Sequence, residues 1–179
     1  MKAKPSLTWN EHIIDTPIGE LIIWLDQQDT LQFVGWHEFR QETIKQLSRF
    51  YQVHSITLNK TEQPHAVINT IDDYFAGNIQ AIDTLVVAQC GTDFQKKVWQ
   101  LLRTIPAGTT TSYGELAKQI GSPQACRAVG MANNRNPIAI VVPCHRVIGK
   151  NNQLTGYAGG VDRKQWLLDH ERRYSILSV

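Results

Sequence analysis

The stretch Ile138-Ala139-Ile140-Val141-Val142-Pro143-Cys144-His145-Arg146-Val147-Ile148-Gly149 constrains this chain more than any other. An apolar run ended by a turn former reads as a buried strand, but a strand gives no reason for a thiol, an imidazole and a guanidinium to follow at once. The segment is therefore the expected chemical centre. In an extended backbone successive side chains point to opposite faces, so Cys144 and His145 are not expected to form a direct thiol–imidazole dyad. A water-mediated relay from Cys144 through His145 to a carboxylate elsewhere fits better, and Glu171, at the end of a basic helix expected over 163–170, is a candidate. Basic, histidine-bearing surroundings are expected to raise the thiolate fraction of Cys144. Lowering the thiol pKa by about 2 units gives roughly 25-fold more thiolate, of which a Brønsted slope near 0.45 leaves a net gain of only about threefold. Positioning the electrophile and stabilising the leaving group must supply the rest.

Upstream, Thr92-Asp93-Phe94-Gln95 has the pattern of a capping box, and Phe94, Val98, Leu101, Leu102 and Ile105 follow one helical face until Pro106-Ala107-Gly108. A helix-turn-helix outline comes next: one helix over 112–120, a break at Gly121-Ser122-Pro123, and a second over 124–133. Leu116, Ile120, Val129 and Met131 are the expected packed residues, and Ala125, Ala128, Gly130 and Ala132 surround Arg127 with small side chains. Small side chains let a helix backbone approach a nucleic acid, and a lone arginine there can enter a groove or the base stack. Close helix packing is the competing explanation. Charge favours DNA: from Asp93 onward twelve Lys/Arg stand against five Asp/Glu, a net of +7, whereas the preceding half has six against eleven, a net of −5. Phosphate neutralisation supplies most sequence-independent affinity. Pro137 pushes Asn136 out of the α region, so the second helix should end by Asn136, whose side chain is expected to fix the turn leading to Cys144.

The first half reads as a small α+β unit with no visible chemistry. Leu21-Ile22-Ile23-Trp24-Leu25 and Leu31-Gln32-Phe33-Val34-Gly35-Trp36 are strand-like and joined by a turn-rich link, as in a hairpin, with 12–15 as a third strand. Helices are expected over 41–51 and 66–75, the latter with a stripe of Val67, Ile71, Tyr74 and Phe75 and a stop at Gly77-Asn78. Leu85-Val86-Val87-Ala88 reads as a linker strand before the composition shifts near Cys90-Gly91, and Cys90 reads as a packed small hydrophobe. The three cysteines, Cys90, Cys126 and Cys144, form no CxxC pair, and His12, His37, His54 and His65 are scattered. Neither a disulfide framework nor a metal site is expected. No apolar run approaches the roughly 18 residues of a membrane span, and Met1-Lys2-Ala3-Lys4-Pro5 opens no apolar signal region. The expectation is a cytoplasmic protein with no membrane contact.

The segment 143–149, taken with Arg127-Ala128-Val129-Gly130, Asn136-Pro137 and Gly156-Tyr157-Ala158-Gly159-Gly160, resembles the O6-alkylguanine-DNA alkyltransferase family in order and spacing from Asp93 to about Glu171. The first half is similar to the bacterial constitutive, single-function type. The resemblance implies an α+β fold: a small RNase H-like α/β N-terminal domain at 1–91 and a winged-helix-like helix-turn-helix C-terminal domain at 92–179. It implies binding of double-stranded alkylated DNA through the minor groove, flipping of the damaged base, and direct, irreversible, stoichiometric transfer of the alkyl group to Cys144. O6-alkylguanine is the implied substrate, with O4-alkylthymine beside it. By the same resemblance Cys144 is the acceptor, His145 and Glu171 activate it through water, and Tyr113 hydrogen-bonds toward guanine N3. The backbone carbonyls of Cys144 and Val147 take the exocyclic amine, Tyr157 and Ala158 close the pocket, Arg127 fills the space of the flipped nucleotide, and Asn136 is a hinge.

Ala158 stands where some relatives have serine, which leaves only its backbone N–H for O6. Only Cys90 is available where some relatives build a structural zinc, so no metal and no cofactor are expected. The protein is expected to act as a monomer, with cooperative loading on DNA left open, and to act once, because an S-alkyl thioether has no good leaving group. Cys at 144 separates the chain from lesion-binding relatives that commonly have tryptophan there. A helix-turn-helix regulator would need base-reading polar side chains that 124–132 lacks.

Overall fold

Strands β2 (Leu21–Leu25) and β3 (Leu31–Trp36) are buried along their whole length. Asp26 folds the link between them: its Oδ1 accepts from the amides of Gln28 and Thr30 at 2.9 and 3.0 Å, and its Oδ2 accepts from Gln32 Nε2 at 2.8 Å. The hairpin is thus written in one carboxylate. This computed structural model describes residues 5–150, 153–154 and 156–176; the segment Met1-Lys2-Ala3-Lys4 lies outside them. Strand β1 (Ser6–Ile14) is longer than its expected 12–15 core and pairs antiparallel with β2 and parallel with β4 (Ser55–Lys60), giving the order β3-β2-β1-β4. Sequence reading missed β4, because the half-exposed Ile56 and Leu58 sit among polar neighbours and give only weak alternation.

Helix α1 (Arg40–Tyr51) buries Thr43 and Leu47, and α2 (Ala66–Phe75) buries Ile68, Ile71 and Tyr74. The expected α2 stripe holds at Ile71 and Tyr74, while Ile68 takes the deep place assigned to Val67. The outer edge of β3 is covered by two later segments, which removes an exposed ladder. Leu31 N donates to Val86 O at 3.0 Å and Ala88 N to Leu31 O at 2.9 Å; Val34 N donates to Pro137 O at 3.1 Å and Ala139 N to Val34 O at 2.8 Å. The expected linker strand therefore exists as an edge cover.

Helix α3 (Asp93–Leu102) starts with the expected capping box: Gln95 N donates to Thr92 Oγ1 at 3.3 Å and Thr92 N to Gln95 Oε1 at 2.9 Å. Short β5 (Thr111–Ser112) leads into α4 (Tyr113–Gln119), and α5 (Cys126–Asn134) completes the helix-turn-helix. Leu116 and Val129 are buried, but Met131 is 58% exposed, because it lies on the outward face of α5. Strand β6 (Val147–Ile148) pairs parallel with β5, and α6 (Val161–Ile176) runs well past the expected 163–170, placing Glu171 inside a helix instead of at its end.

The strand expected over 138–142 does not form. Only Ile138 bridges to Val34; Val142 N then returns to Ile138 O at 3.0 Å, and Ile140 adopts φ 70°. A β-branched residue in the left-handed region is uncommon and strained. Ile140 is fully buried within the apolar core. One apolar cluster runs through both halves, from Trp24, Trp36 and Tyr74 to Leu102, Val129, Ile140 and Leu167. Among the described residues no helix is long and apolar enough to cross a membrane.

Candidate active site

The Asn136 side chain builds the approach to Cys144. Its Oδ1 accepts from Ile138 N at 3.0 Å, and its Nδ2 lies 3.2 Å from Ile138 O, 2.8 Å from Val142 O and 3.2 Å from Cys144 Sγ. One amide at the end of α5 thus fixes the turn and also donates toward the thiol. The end of α5 is anchored from behind, where Trp99 Nε1 donates to Ala132 O at 2.9 Å and Gln46 Nε2 to Arg135 O at 2.9 Å.

Cys144, His145 and Arg146 form a single 3-10 turn, not the expected extended segment. The alternation that argued against a direct dyad therefore does not apply. The imidazole still turns away from the sulfur: fully buried His145 directs Nε2 to Glu171 Oε1 at 2.8 Å. Glu171 accepts from four further donors. Arg146 clamps it with Nε on Oε2 and Nη2 on Oε1, both 2.9 Å; Gly108 N reaches Oε2 at 3.1 Å; and Tyr74 Oη reaches Oε1 at 2.9 Å. Burial alone would raise this carboxyl, but His145 and Arg146 outweigh it and hold Glu171 far below the usual carboxylate range. Burial lowers the His145 imidazole, and Glu171 offsets this only in part, so the resting ring is neutral. With Nε2 carrying the hydrogen toward Glu171, Nδ1 is the ring atom left to accept a proton. It has no hydrogen-bond partner among the described residues.

The expected thiolate enrichment at Cys144 is not found. Burial pushes the thiol above its ordinary range, and the Asn136 donor and nearby Lys164 only partly offset this. The resting sulfur is a neutral thiol, because desolvation penalises the anion more than a basic neighbourhood rewards it.

A cleft of ≈ 120 Å³ opens beside Cys144 and is lined by Trp36, Asn133, Asn136, Ala139, Tyr157 and Ala158, among others. Tyr157 is buried edge-on to Trp36, with ring centroids 6.2 Å apart, whereas Ala158 is exposed at the rim. Arg163 stacks 4.6 Å over Trp36, pairs with Glu38, and donates to Ile18 O at 3.0 Å and Gly159 O at 3.2 Å, tying the first half to the 157–159 loop. A Cβ on Gly159 would lie 2.6 Å from Tyr157 Cε1 and 2.7 Å from Trp36 Cζ3, so only glycine fits there. Four buried polar side-chain atoms lack a partner among the described residues: Trp36 Nε1, Asn133 Oδ1, His145 Nδ1 and Tyr157 Oη. Three belong to side chains lining this cleft and the fourth to the residue after Cys144.

Tyr113, the first residue of α4, lines a separate hollow with Thr111, Gly114, Cys126 and Ile148. It connects to Cys144 through Asn133, which donates toward the Tyr113 oxygen and whose Nδ2 also donates to Cys144 O at 3.3 Å. The two carbonyls expected to take an exocyclic amine already have donors: Cys144 O also receives the Val147 N–H, and Val147 O receives Lys164 Nζ at 2.6 Å. Arg127 is exposed near the start of α5, apart from this cluster. The structure thus gathers Cys144, His145, Glu171, Asn136, Val147 and Tyr157. Asn133, Arg146, Lys164 and Tyr74 were given no role in the site beforehand. Arg146 was visible in the Cys-His-Arg run, but the others look like ordinary helix residues.

Residues 93–173 match the family described as 6-O-methylguanine DNA methyltransferase, DNA binding domain. Methylated-DNA--protein-cysteine methyltransferases from Shigella flexneri and Salmonella typhimurium are 49% and 50% identical over 161 residues, 90% of this chain and 94% of each relative. The crystal structure of Mycobacterium tuberculosis OGT in complex with DNA is 41% identical, with a TM-score of 0.74 over 92% of this chain and 94% of that one. The mixed α+β fold, the cysteine at the cleft and similarity across nine-tenths of the sequence lead to one assignment: the chain belongs to the methylated-DNA--protein-cysteine methyltransferase family.

Proposed function

We propose that this protein repairs DNA by moving the alkyl group of O6-alkylguanine, and of O4-alkylthymine, onto its own Cys144, once and irreversibly. One observation carries the reading: the unpartnered buried polar atoms gather at the cleft beside Cys144. Buried polar groups are otherwise nearly always paired, and unpaired ones point to chemistry or a ligand.

In the displacement the S–C bond forms as the O6–C bond breaks, and the electron pair passes to guanine. The thiol proton goes to His145 Nδ1 by way of a bridging water, and Glu171 stabilises the resulting imidazolium without taking the proton. Tyr113 hydrogen-bonds guanine N3 and assists its departure; the departing base takes a proton from solvent and the His145 imidazolium returns one to solvent, so one proton leaves the thiol and one is gained by guanine. Because Cys144 rests as a thiol, proton removal belongs to the reaction itself, and such general-base help is worth about 10²–10⁴-fold. Tyr157 and Ala158 close over the base; the Val147 carbonyl meets its amine beside Lys164, and the Cys144 carbonyl does so by exchanging the long Asn133 donor for the amine.

The helix-turn-helix enters the minor groove, Arg127 replaces the flipped nucleotide and Asn136 links that helix to the thiol. The boundary at 91/92 separates an RNase H-like unit from a winged-helix-like one. An antiparallel β1-β2-β3 meander followed by α1 and parallel β4 supports the first assignment, and the α4–α5 pair beside the β5-β6 ladder supports the second. The protein works as a monomer, and three free cysteines suit a reducing cytoplasm.

Incubation with O6-methylguanine DNA, followed by intact-mass and peptide analysis, is the test. One methyl on Cys144 per molecule is expected; repaired DNA with unmodified Cys144 would overturn the reading.

A further inference from the structure

Tyr74 lies in α2, 97 positions from Glu171 in sequence, on an element the sequence marked as packing only. Its ring is fully buried, stacked edge-on to Phe75 and close to His170. Its hydroxyl donates at 2.9 Å to Glu171 Oε1, the same oxygen that receives His145 Nε2. We infer that Tyr74 is a positioning residue of the alkyl-transfer site, through which the first half of the chain sets how strongly Glu171 holds the His145 proton. This rests on the relay proposed above.

The argument is a division of charge. Oε1 carries three donors: Tyr74, His145 and Arg146 Nη2. Oε2 carries Arg146 Nε and Gly108 N. The Arg146 clamp and Gly108 already fix the plane of the carboxylate, so Tyr74 is not needed to orient it. A donor to an anion withdraws charge from the oxygen it touches. Every increment taken by Tyr74 is lost to the imidazolium that forms when the thiol proton moves.

The charged and titratable groups around the pair are known from each packed element. Cys144 and Arg146 come from its own turn, Lys164 from α6, Tyr157 from the cleft loop, and Tyr74 from α2, with His170 of α6 packed 5.2 Å from the Tyr74 ring. Of these Tyr74 is the neutral donor placed directly on the shared oxygen. The hydroxyl could have been satisfied by a backbone carbonyl; its placement on the relay carboxylate gives it leverage over the proton.

Tyr74→Phe deletes the donor and keeps the ring. Oε1 becomes richer in charge, the imidazolium is favoured, and a larger share of His145 is protonated before reaction at a given acid pH. The acid limb of the single-turnover alkyl-transfer rate should move up by about 0.5–1 pH unit, with the plateau rate slightly raised as the base strengthens. Replacement of Tyr74 by 3-fluorotyrosine, a stronger donor of nearly the same shape, should move the limb the other way. A packing defect would instead lower the rate at every pH. The measurements use full-length protein and O6-methylguanine duplex DNA, with duplex affinity and thermal midpoint recorded for each variant. Opposite shifts in the two variants support the inference, and if the Phe variant fails to fold, the fluorotyrosine shift alone decides. Superimposable profiles overturn it. Failure of unmodified protein to gain a methyl on Cys144 would overturn the underlying relay instead, so the two failures are distinguishable.

Discussion

Cys90 and Cys144 are buried to almost the same degree, at 5% and 6% exposure, yet their surroundings differ in kind. Cys90 is followed by Gly91, which packs on Trp99, and burial drives its thiol up to about 11, opposed only in part by a backbone hydrogen bond and by Lys96. Cys144 is also pushed up by burial, but it has an amide donor on its sulfur and a neutral imidazole next in sequence with an open ring nitrogen. Desolvation makes a buried thiol inert, and a proton route makes the same thiol usable. Reactivity here does not come from a low resting pKa, which fits the small net gain that thiolate enrichment offers.

The largest effect should come from removing each sulfur in turn. Cys144→Ala is expected to bind alkylated duplex normally and transfer nothing, while Cys90→Ala transfers within about twofold of the parent rate, since it touches no part of the relay. Comparable losses in both variants, measured by single-turnover transfer from methylated DNA, would erase the distinction. A smaller effect is expected for Asn136→Ala, which removes the donor on sulfur. A hydrogen bond to a charged group is worth about 1.5–3 kcal/mol, so transfer should slow roughly 10–150-fold, with the deficit shrinking as pH rises and thiolate forms unaided. A pH-independent deficit would show that Asn136 acts on the turn alone.

The third effect leaves the transfer rate aside and concerns stability. Glu171 and His145 both have depressed folded-state pKa values, so their contribution is complete above the ordinary imidazole range and is lost as pH falls, first through His145 and then through Glu171. Denaturant unfolding between neutral pH and about pH 3 should therefore reveal on the order of 2–3 kcal/mol of acid sensitivity that Glu171→Gln lacks. Parallel stability curves for parent and variant would mean that the network is not ionised as drawn.

The contrast between the cysteines was partly legible before any coordinates. Cys144 followed by His145 and Arg146 announced chemistry, and Cys90 read as a small hydrophobe. The hairpin, α1, α2, the capping box at Thr92 and the helix-turn-helix were visible because periodicity and turn residues are local signals. The left-handed Ile140 was not, because nothing in an apolar run marks which buried residue will adopt an unfavourable conformation. Strand β4 was hidden by its polar neighbours, and Met131 was misplaced because an apolar residue on a helix need not face the core. Tyr74 was legible as a core residue and illegible as a donor, since the carboxylate it meets lies 97 positions away.

Arg146 and Lys164 count among the twelve basic residues of the second half, yet both are turned inward, onto Glu171 and the Val147 carbonyl. Arg163 is committed to Glu38. A cation held inside the scaffold displaces no counterion from a polyelectrolyte. Each one withheld subtracts about 0.9 from the slope of log affinity against log salt. The net of +7 read along the sequence therefore overstates how steeply this surface should release DNA as ionic strength rises.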